Sequence, residues 1–468
     1  MRMESTRAVR GLCLVTFLLL LATPGRLLSA EPVAKQIFKS ECQPGSVTRV
    51  EVALQVGGDL KLVTDGAQKK LPMSVVANLA YDEQLLANDD NARPNRSLRF
   101  YDDAMAVIKV DKGGEKPTLD NSRRLIVVEK REKSAPELYC PTAGLSREEL
   151  DLIEVPGNSL IINELLPDKP VAPGDSWKLA DSTLANLLGL DAVSWTDVTS
   201  ALGQVTDGMA DFATAGSLQG AVGGVSTDIE LKAKYRFDVA QKRIVYLALL
   251  VKEKRDVGHI GPGLDTVAKL IVKISPSSGS QSLAAAAAEI PLALTPELAR
   301  LTYTSTGRQF RFLHDRRWFL TTEDSKLAVF RLLDRGELVA QCNVSALPAG
   351  KAKPATLAEF QRDVQDSLGK NFGQFVNASQ YTSEAGYSVL RLVVHGNVSQ
   401  LPIEWVYYLV SDAHGHRISL AFTLEESLKR RFEEADRALV NGLRLADPVA
   451  STAAKPQGPT GAQQPQRQ

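Results

Sequence analysis

The sequence predicts an α+β protein, with a large antiparallel β-rich domain over residues 31–274 and a smaller α/β domain over residues 296–446. The first observation is the strict alternation of apolar and polar residues from Ile229 to Phe237, which is typical of a strand with one buried face. The second is a pair of capping-box patterns, beginning at Ser146 and Thr356, which mark helix N-termini. Both element types are therefore expected, with strands dominating the first domain.

The composition is that of a globular protein. The chain has 468 residues, of which 44% are hydrophobic and 24% are charged, and its formal net charge is zero. This length predicts two or three domains at roughly 100–200 residues each. The balanced charge gives no strong attraction to nucleic acid or to an anionic membrane surface, so we expect neither as a partner.

Residues 1–30 are typical of a cleavable signal peptide. Arg2, Arg7 and Arg10 form a basic region, residues 11–25 are apolar, and cleavage is expected after Ala30. The apolar run is shorter than the roughly 20 residues needed to span a bilayer, and we expect no membrane span in the mature chain. The sequence therefore predicts export to the periplasm or the extracellular space.

The β-rich domain is expected to form a large, twisted, half-barrel-like sheet. Gly57-Gly58 separates two alternating runs and predicts a hairpin turn. Residues 275–295 are rich in Ser and Ala and predict an interdomain linker, with a short helix over the alanine run as the alternative. Residues 447–468 contain few large apolar side chains and predict a disordered tail.

The smaller domain is expected to contain two helices. The first begins at the capping box of Thr356 and stops at Gly369. The second is a single amphipathic helix that closes the domain, since residues 428–443 carry an apolar stripe at helical spacing. Thr423 and Glu426 are its expected caps.

The C-terminal third also carries a family resemblance. The pieces that carry it are Trp318, the strand Tyr407-Tyr408-Leu409, the turn at Gly415, residues 418–423, and the helix through Phe432 and Leu439. In this order they resemble the PsbP-like superfamily, which includes photosystem II extrinsic proteins and Mog-type proteins. The resemblance implies a PsbP-like α/β/α sandwich that acts by binding or assembly, with no shared active site to transfer.

A second resemblance lies in the N-terminal region. The element Leu-Pro-x-x-Pro-Val-x-x-Gly-Asp-x-Trp stands here from Leu166 to Trp177. It resembles an element of uncharacterised exported bacterial proteins, and the whole chain looks like an exported planctomycete-like protein. This resemblance implies export and suggests no reaction.

His414 and His416 are the strongest candidates for metal ligands. Two histidines two residues apart on a strand would point the same way, and Asp412 is adjacent. The alternative, which we favour, is that residues 411–417 form a polar hairpin turn around Gly415. No third ligand has a recognisable spacing.

Three cysteines follow the signal peptide. Cys42 and Cys140 both fall in the N-terminal domain and are the candidate disulfide, although spacing alone does not establish the connectivity. Cys342 would be a nucleophile with His395 as its base. However, Cys342 lies on the apolar face of its strand, where a cysteine is typically an inert core residue.

The sequence therefore predicts an exported, non-enzymatic binding or assembly protein with no cofactor. Its twisted sheet is expected to hold an apolar or peptide ligand, and its smaller domain to dock a protein partner. The alternative is a metal-dependent hydrolase that uses the turn of His414 and His416.

Overall fold

The computed structural model describes residues 34–64, 67–89, 93–131, 134–289, 291–348 and 355–445. The protein is mostly β, with 55% strand and 15% helix, and it is built on large antiparallel sheets. The predicted α+β class with an α/β/α sandwich is therefore wrong. The physical reason is that long strands also pair throughout the C-terminal half, where the helices are few and short.

In the described part of the chain, 13 strands form one sheet in which every pairing is antiparallel. They are β1 (Val47–Thr64), β2 (Ala67–Asn88), β3 (Pro94–Val110), β4 (Gly113–Glu115), β5 (Leu125–Glu129), β6 (Glu137–Tyr139), β7 (Ser176–Lys178), β8 (Ala192–Thr196), β9 (Thr199–Thr206), β10 (Met209–Val222), β11 (Val225–Asp238), β12 (Arg243–Arg255) and β13 (Gly263–Pro276). Their order is β6-β5-β3-β2-β1-β13-β12-β11-β10-β9-β7, with β4 on β3 and β8 on β10. Since β1 pairs with β13, the first and last strands meet at the centre of the sheet.

The alternation predicted for residues 229–237 is confirmed. On β11, the odd-numbered residues from Ile229 to Phe237 are buried and the even-numbered ones are exposed. The predicted hairpin turn at Gly57-Gly58 is wrong, because β1 runs through both glycines and pairs with β2 over its whole length. A Cβ atom on Gly58 would lie 2.8 Å from the Cα of Thr266 on β13. The glycine there is explained by the close approach of a neighbouring strand.

One face of this sheet is buried beneath the chain's own residues 145–190. The segment contains α1 (Arg147–Ile153) and α2 (Asp181–Leu188), and it shares a hydrophobic core with the strands. The capping box at Ser146 is confirmed: its hydroxyl accepts the N–H of Glu149, and the Glu149 carboxylate accepts the N–H of Ser146. The apolar face of this sheet is thus covered by the chain itself.

The segment expected to be a linker contains regular structure. Ser275 and Pro276 complete β13, and the alanine run forms α3 (Gln281–Glu289), which was the alternative expectation. Leu283 and Ala286 of α3 are buried against side chains of β3, β5 and β6. The predicted signal peptide and C-terminal tail lie outside the described residues. Among the described residues, no helix combines the length and the apolar character needed to cross a membrane.

The C-terminal half of the described chain holds two smaller antiparallel sheets. Its strands are β14 (Leu301–Thr304), β15 (Phe310–His314), β16 (Trp318–Glu323), β17 (Leu327–Asp334), β18 (Glu337–Leu347), β19 (Phe372–Thr382), β20 (Ser388–Val398), β21 (Leu401–Ser411), β22 (Arg417–Glu425) and β23 (Arg444–Leu445). The three-stranded sheet has the order β14-β15-β23. The seven-stranded sheet has the order β16-β17-β18-β22-β21-β20-β19, so β16 and β19 form its edges.

The helices of this half are α4 (Leu357–Leu368), α5 (Lys429–Phe432) and α6 (Ala435–Asn441) within the described residues. The predicted start of α4 at Thr356 and its stop at Gly369 are confirmed. The predicted single closing helix is wrong, because Glu433 takes a φ of 50° and divides it into α5 and α6. Thr423, one of its expected caps, lies inside β22. The three-stranded sheet shares the face that α5 and α6 cover, so a continuous helical layer does not form there.

Candidate functional site: a cleft beside helix α2

The turn between β21 and β22 contains both predicted metal-ligand candidates, His414 and His416. Asp412 holds this turn, since one of its carboxylate oxygens accepts the backbone N–H groups of both histidines at 2.9 Å. Its other oxygen lies 2.7 Å from Nδ1 of His416. Among the described residues, no group of three His, Cys, Asp or Glu side chains is placed to hold a metal ion. The geometry is that of a polar hairpin turn.

Cys342 and His395 are not brought together. They lie on β18 and β20, with β22 and β21 between them, which at about 4.8 Å between neighbouring strands separates them by about 14 Å. Cys342 is fully buried, and burial raises the pKa of its thiol. His395 instead places Nε2 2.7 Å from a carboxylate oxygen of Glu404, which also accepts a hydrogen bond from Lys429.

The disulfide predicted between Cys42 and Cys140 is not formed in the structure, where both are buried free cysteines. The Sγ atom of Cys42 lies 3.3 Å from the hydroxyl of Ser40, and that of Cys140 lies 3.3 Å from the hydroxyl of Thr142. A buried free cysteine behaves as a small hydrophobic side chain. Each thiol is therefore placed as part of its local packing.

A cleft of about 660 Å³ opens beside α2. We call it the α2 cleft. Its walls come from residues 134–138, from residues 154–158 after α1, from α2 itself, and from residues 189–193. Gly189 ends α2 with a φ of 71°, which turns the chain along the cleft. Clefts of roughly 300–1,000 Å³ are usual for ligand binding.

The charged side chains of the α2 cleft have one sign. Among the described residues that line it, Glu154, Asp181 and Asp191 are acidic and none is Lys or Arg. Leu188 and Val193, both half-buried, contribute to the apolar walls. A cleft with this lining attracts a cation that carries an apolar body.

Glu154 lies just beyond the end of α1, and its side chain is exposed to the cleft. Loss of bulk water around the carboxylate raises its pKa, and the guanidinium of Arg316 opposes this shift without cancelling it. A raised carboxylate pKa inside a cleft is typical of a functional group.

Asn158 joins the cleft to a buried ion pair behind it. Arg99 donates hydrogen bonds of 2.8 Å to the side-chain oxygens of Asn158, Ser159 and Glu83. Arg99 is 2% exposed, and its guanidinium also lies over the ring of Tyr81, 4.8 Å from the ring centre. Breaking a buried ion pair by removing one partner typically costs about 3–5 kcal/mol. The network therefore holds Asn158 firmly at the cleft wall.

Two residues that line the α2 cleft are linked to the C-terminal half of the chain. Arg316 donates a hydrogen bond of 2.6 Å to the carbonyl of Leu138. The Asp191 carboxylate accepts the N–H of Gly224 at 3.1 Å, and Gly224 packs against Gly336, in the turn between β17 and β18. The described walls of the cleft belong to the N-terminal half, and these contacts connect them to the C-terminal half.

Sequence reasoning locates the elements around this cleft and misses the cleft itself. The capping box at Ser146 marks α1, and Pro156-Gly157 marks the break that follows it. Glu154 and Asp191, however, are single acids after helix ends, where charged residues are common on any surface. What distinguishes them is that both line the same cleft. No pattern of neighbouring residues in the sequence indicates this.

No protein-family model matches the chain, and no curated protein matches it. Among solved structures, part of the chain is similar to cyanobacterial PsbP (CyanoP) from Synechocystis, at 15% identity and a TM-score of 0.27, over 33% of this chain and 99% of that one. A protein from Bacteroides thetaiotaomicron is similar at 10% identity and a TM-score of 0.25, over 31% of this chain and 48% of that one. A Pseudomonas aeruginosa protein of unknown function is similar at 12% identity and a TM-score of 0.23, over 32% of this chain and 98% of that one. TM-scores this low carry no argument about the fold or the function of this chain.

Proposed function

We propose that this protein is an exported, non-enzymatic binding protein that holds a basic peptide segment in the α2 cleft. The observation that carries the proposal is a cleft of about 660 Å³ in which every charged lining residue of the described chain is acidic. Export rests on the signal-peptide pattern of residues 1–30. Residues 145–190 cover the apolar face of the large sheet, so we place the ligand in this cleft instead.

A peptide with alternating basic and apolar residues would complement both the acidic and the apolar lining of the α2 cleft. Its Lys or Arg side chains would meet Glu154, Asp181 and Asp191. Their aliphatic stems and the apolar residues between them would cover Leu188 and Val193. A bare metal ion would leave those apolar walls in contact with water. The mixed lining therefore favours a peptide over an inorganic cation.

Two placements favour binding over a chemical reaction. Cys342 is a core residue whose thiol has a raised pKa, and a protonated thiol is a poor nucleophile. His395 is already engaged by the carboxylate of Glu404. Neither group lines the α2 cleft, so the cleft is proposed as a site of recognition alone.

Calorimetric titration with an amidated Lys-Leu-Lys-Leu peptide tests this proposal. We expect binding that weakens as salt is added, because salt screens the attraction between exposed charges. Glu154→Gln and Asp181→Asn are each expected to weaken binding by about 2–5-fold, the usual range for one exposed charge pair. Since the pKa of Glu154 is raised, binding should also fall on acidification before ordinary carboxylates are protonated.

Two controls accompany this titration. Asp363→Asn removes an exposed carboxylate on α4, which is distant in sequence from the residues that line the α2 cleft. This variant should leave the affinity unchanged. A Glu-Leu-Glu-Leu peptide of the same length should not bind. Equal affinity for the two peptides, or no heat from either of them, would overturn the proposed function.

A further inference from the structure

The seven-stranded sheet ends in a long edge strand that carries no charge. β19 covers Phe372–Thr382, and its sequence FGQFVNASQYT contains no Asp, Glu, Lys, Arg or Pro. Edge strands are normally guarded by such residues, because their free N–H and C=O groups would otherwise pair with another chain. We propose that two copies of this protein associate by pairing β19 with β19 about a twofold axis.

The exposure of β19 supports an association there. Eight of its eleven residues are exposed, and they include Val376 at 48% and Tyr381 at 37%. Covering large apolar and aromatic side chains on an edge strand with a second strand is favourable, because it removes their surface from water. Pairing over the regular segment from Asn377 to Thr382 would cover Tyr381 and complete the backbone hydrogen bonds.

Other sheet edges in the described residues are shorter, and some of them are also guarded. β6 and β7, at the two ends of the 13-stranded sheet, have only three residues each. β16, at the opposite edge of the seven-stranded sheet, has six residues, ends at Glu323, and is interrupted by a bulge between Leu320 and Thr322. Among these edge strands, β19 is therefore the one that is both long and uncharged.

The register of β19 with β20 identifies the half that is free to pair. Two bulges disturb it before Asn377, and bulges bend a strand edge away from new partners. From Asn377 to Thr382 the pairing with β20 is regular, one residue to one residue. Six residues is an ordinary strand length, so this segment is long enough to form a ladder.

A second copy is the occupant that a neutral strand fits best. If a charged strand paired with β19, its charges would lose their hydration and would find no opposite charge on β19. If β19 of one copy pairs with β19 of a second copy, the two strands bring no like charges together. About an axis at Ser379, Ala378 would face Gln380 of the second copy, and Asn377 would face Tyr381. Such an interface is isologous and uses up the free edge of both chains, so association stops at a dimer.

Sedimentation equilibrium across a range of protein concentrations tests this proposal. The wild-type protein is expected to reach twice the monomer mass. The Ala378→Lys/Gln380→Lys variant places four like charges at the strand pair and is expected to remain monomeric. Mixing it with an Ala378→Glu/Gln380→Glu variant should restore the dimer, which also shows that both variants are folded.

The control variant is Ser74→Lys/Asn78→Lys, which adds the same charge to exposed positions on β2, inside the other sheet. It should dimerise as the wild type does. A wild-type protein that is monomeric at every concentration would overturn the proposal. So would an assembly larger than a dimer, or a Lys variant that still dimerises.

Discussion

At the residue scale, His314 shows how strongly burial changes a single side chain. It is 4% exposed on β15, and its ring packs against Phe312 and Phe330. Burial lowers the pKa of His314 to about 4, with an opposing effect from the hydrogen bond to the carbonyl of Asp315, 2.9 Å away, and a smaller lowering by Arg147. The folded protein therefore holds this histidine in its neutral form at neutral pH.

His314 should make stability depend on pH. Between pH 6.5 and about 4, the unfolded chain binds a proton at His314 that the folded chain does not, so the free energy of unfolding falls as pH falls. The full contribution is about 3 kcal/mol, at about 1.4 kcal/mol for each pKa unit. Urea unfolding across this range should give a shallower pH slope for His314→Phe. The exposed His259→Gln is the control, and equal slopes for the two variants would contradict the assignment.

At the element scale, two helices end in the same unusual backbone conformation. Gly369 after α4 has φ and ψ of 51° and −121°, and Glu433 after α5 has 50° and −121°. Glycine adopts this conformation without steric conflict because it has no Cβ atom, whereas glutamate does not. The break between α5 and α6 therefore stores backbone strain that the end of α4 does not.

This difference predicts opposite effects for two substitutions. Glu433→Gly should raise the free energy of unfolding by about 1 kcal/mol, and Gly369→Ala should lower it by about the same amount. Thermal unfolding measures both. Glu433→Ala is the matched control, because it removes the same carboxylate but keeps the Cβ atom and therefore the strain. Destabilisation by Glu433→Gly would show that its side chain matters more than its backbone.

At the scale of the whole molecule, two hairpin tips connect the N-terminal and C-terminal halves. Gly224, between β10 and β11, approaches Gly336, between β17 and β18, so closely that a Cβ atom on either would collide with the other's backbone. Arg331 on β17 adds a hydrogen bond to the carbonyl of His259. This contact is connected to the α2 cleft by the hydrogen bond between Gly224 and Asp191.

Gly224→Ala should therefore loosen the two halves. Gly208→Ala is the matched control, since Gly208 has almost the same φ, 76° against 77°, but open space around its Cα. Both variants carry the same backbone strain, and Gly224→Ala alone adds the collision. Hydrogen exchange should speed up at residues 333–337 and 257–260 in Gly224→Ala only. Equal exchange in the two variants would mean that the contact does not hold the halves together.

The fold was more predictable than the site. The helix starts at Ser146 and Thr356 and the alternation of β11 could be read from neighbouring residues, because capping and burial of one strand face act over a few positions. The α2 cleft could not be read in this way. Glu154 and Asp191 stand far apart in the chain, and their common space exists only because α1, α2 and the sheet pack together.

Local features follow from the order of residues alone: where α1 and α4 begin, which face of β11 is buried, and that residues 411–417 turn around Gly415. Each depends on side chains within a few residues of one another. Three other features emerge only when the chain packs. Gly58 marks a close approach rather than a turn, the closing helix breaks at Glu433, and a cleft forms beside α2. These outcomes depend on contacts between residues far apart in the chain, and no local pattern encodes such contacts.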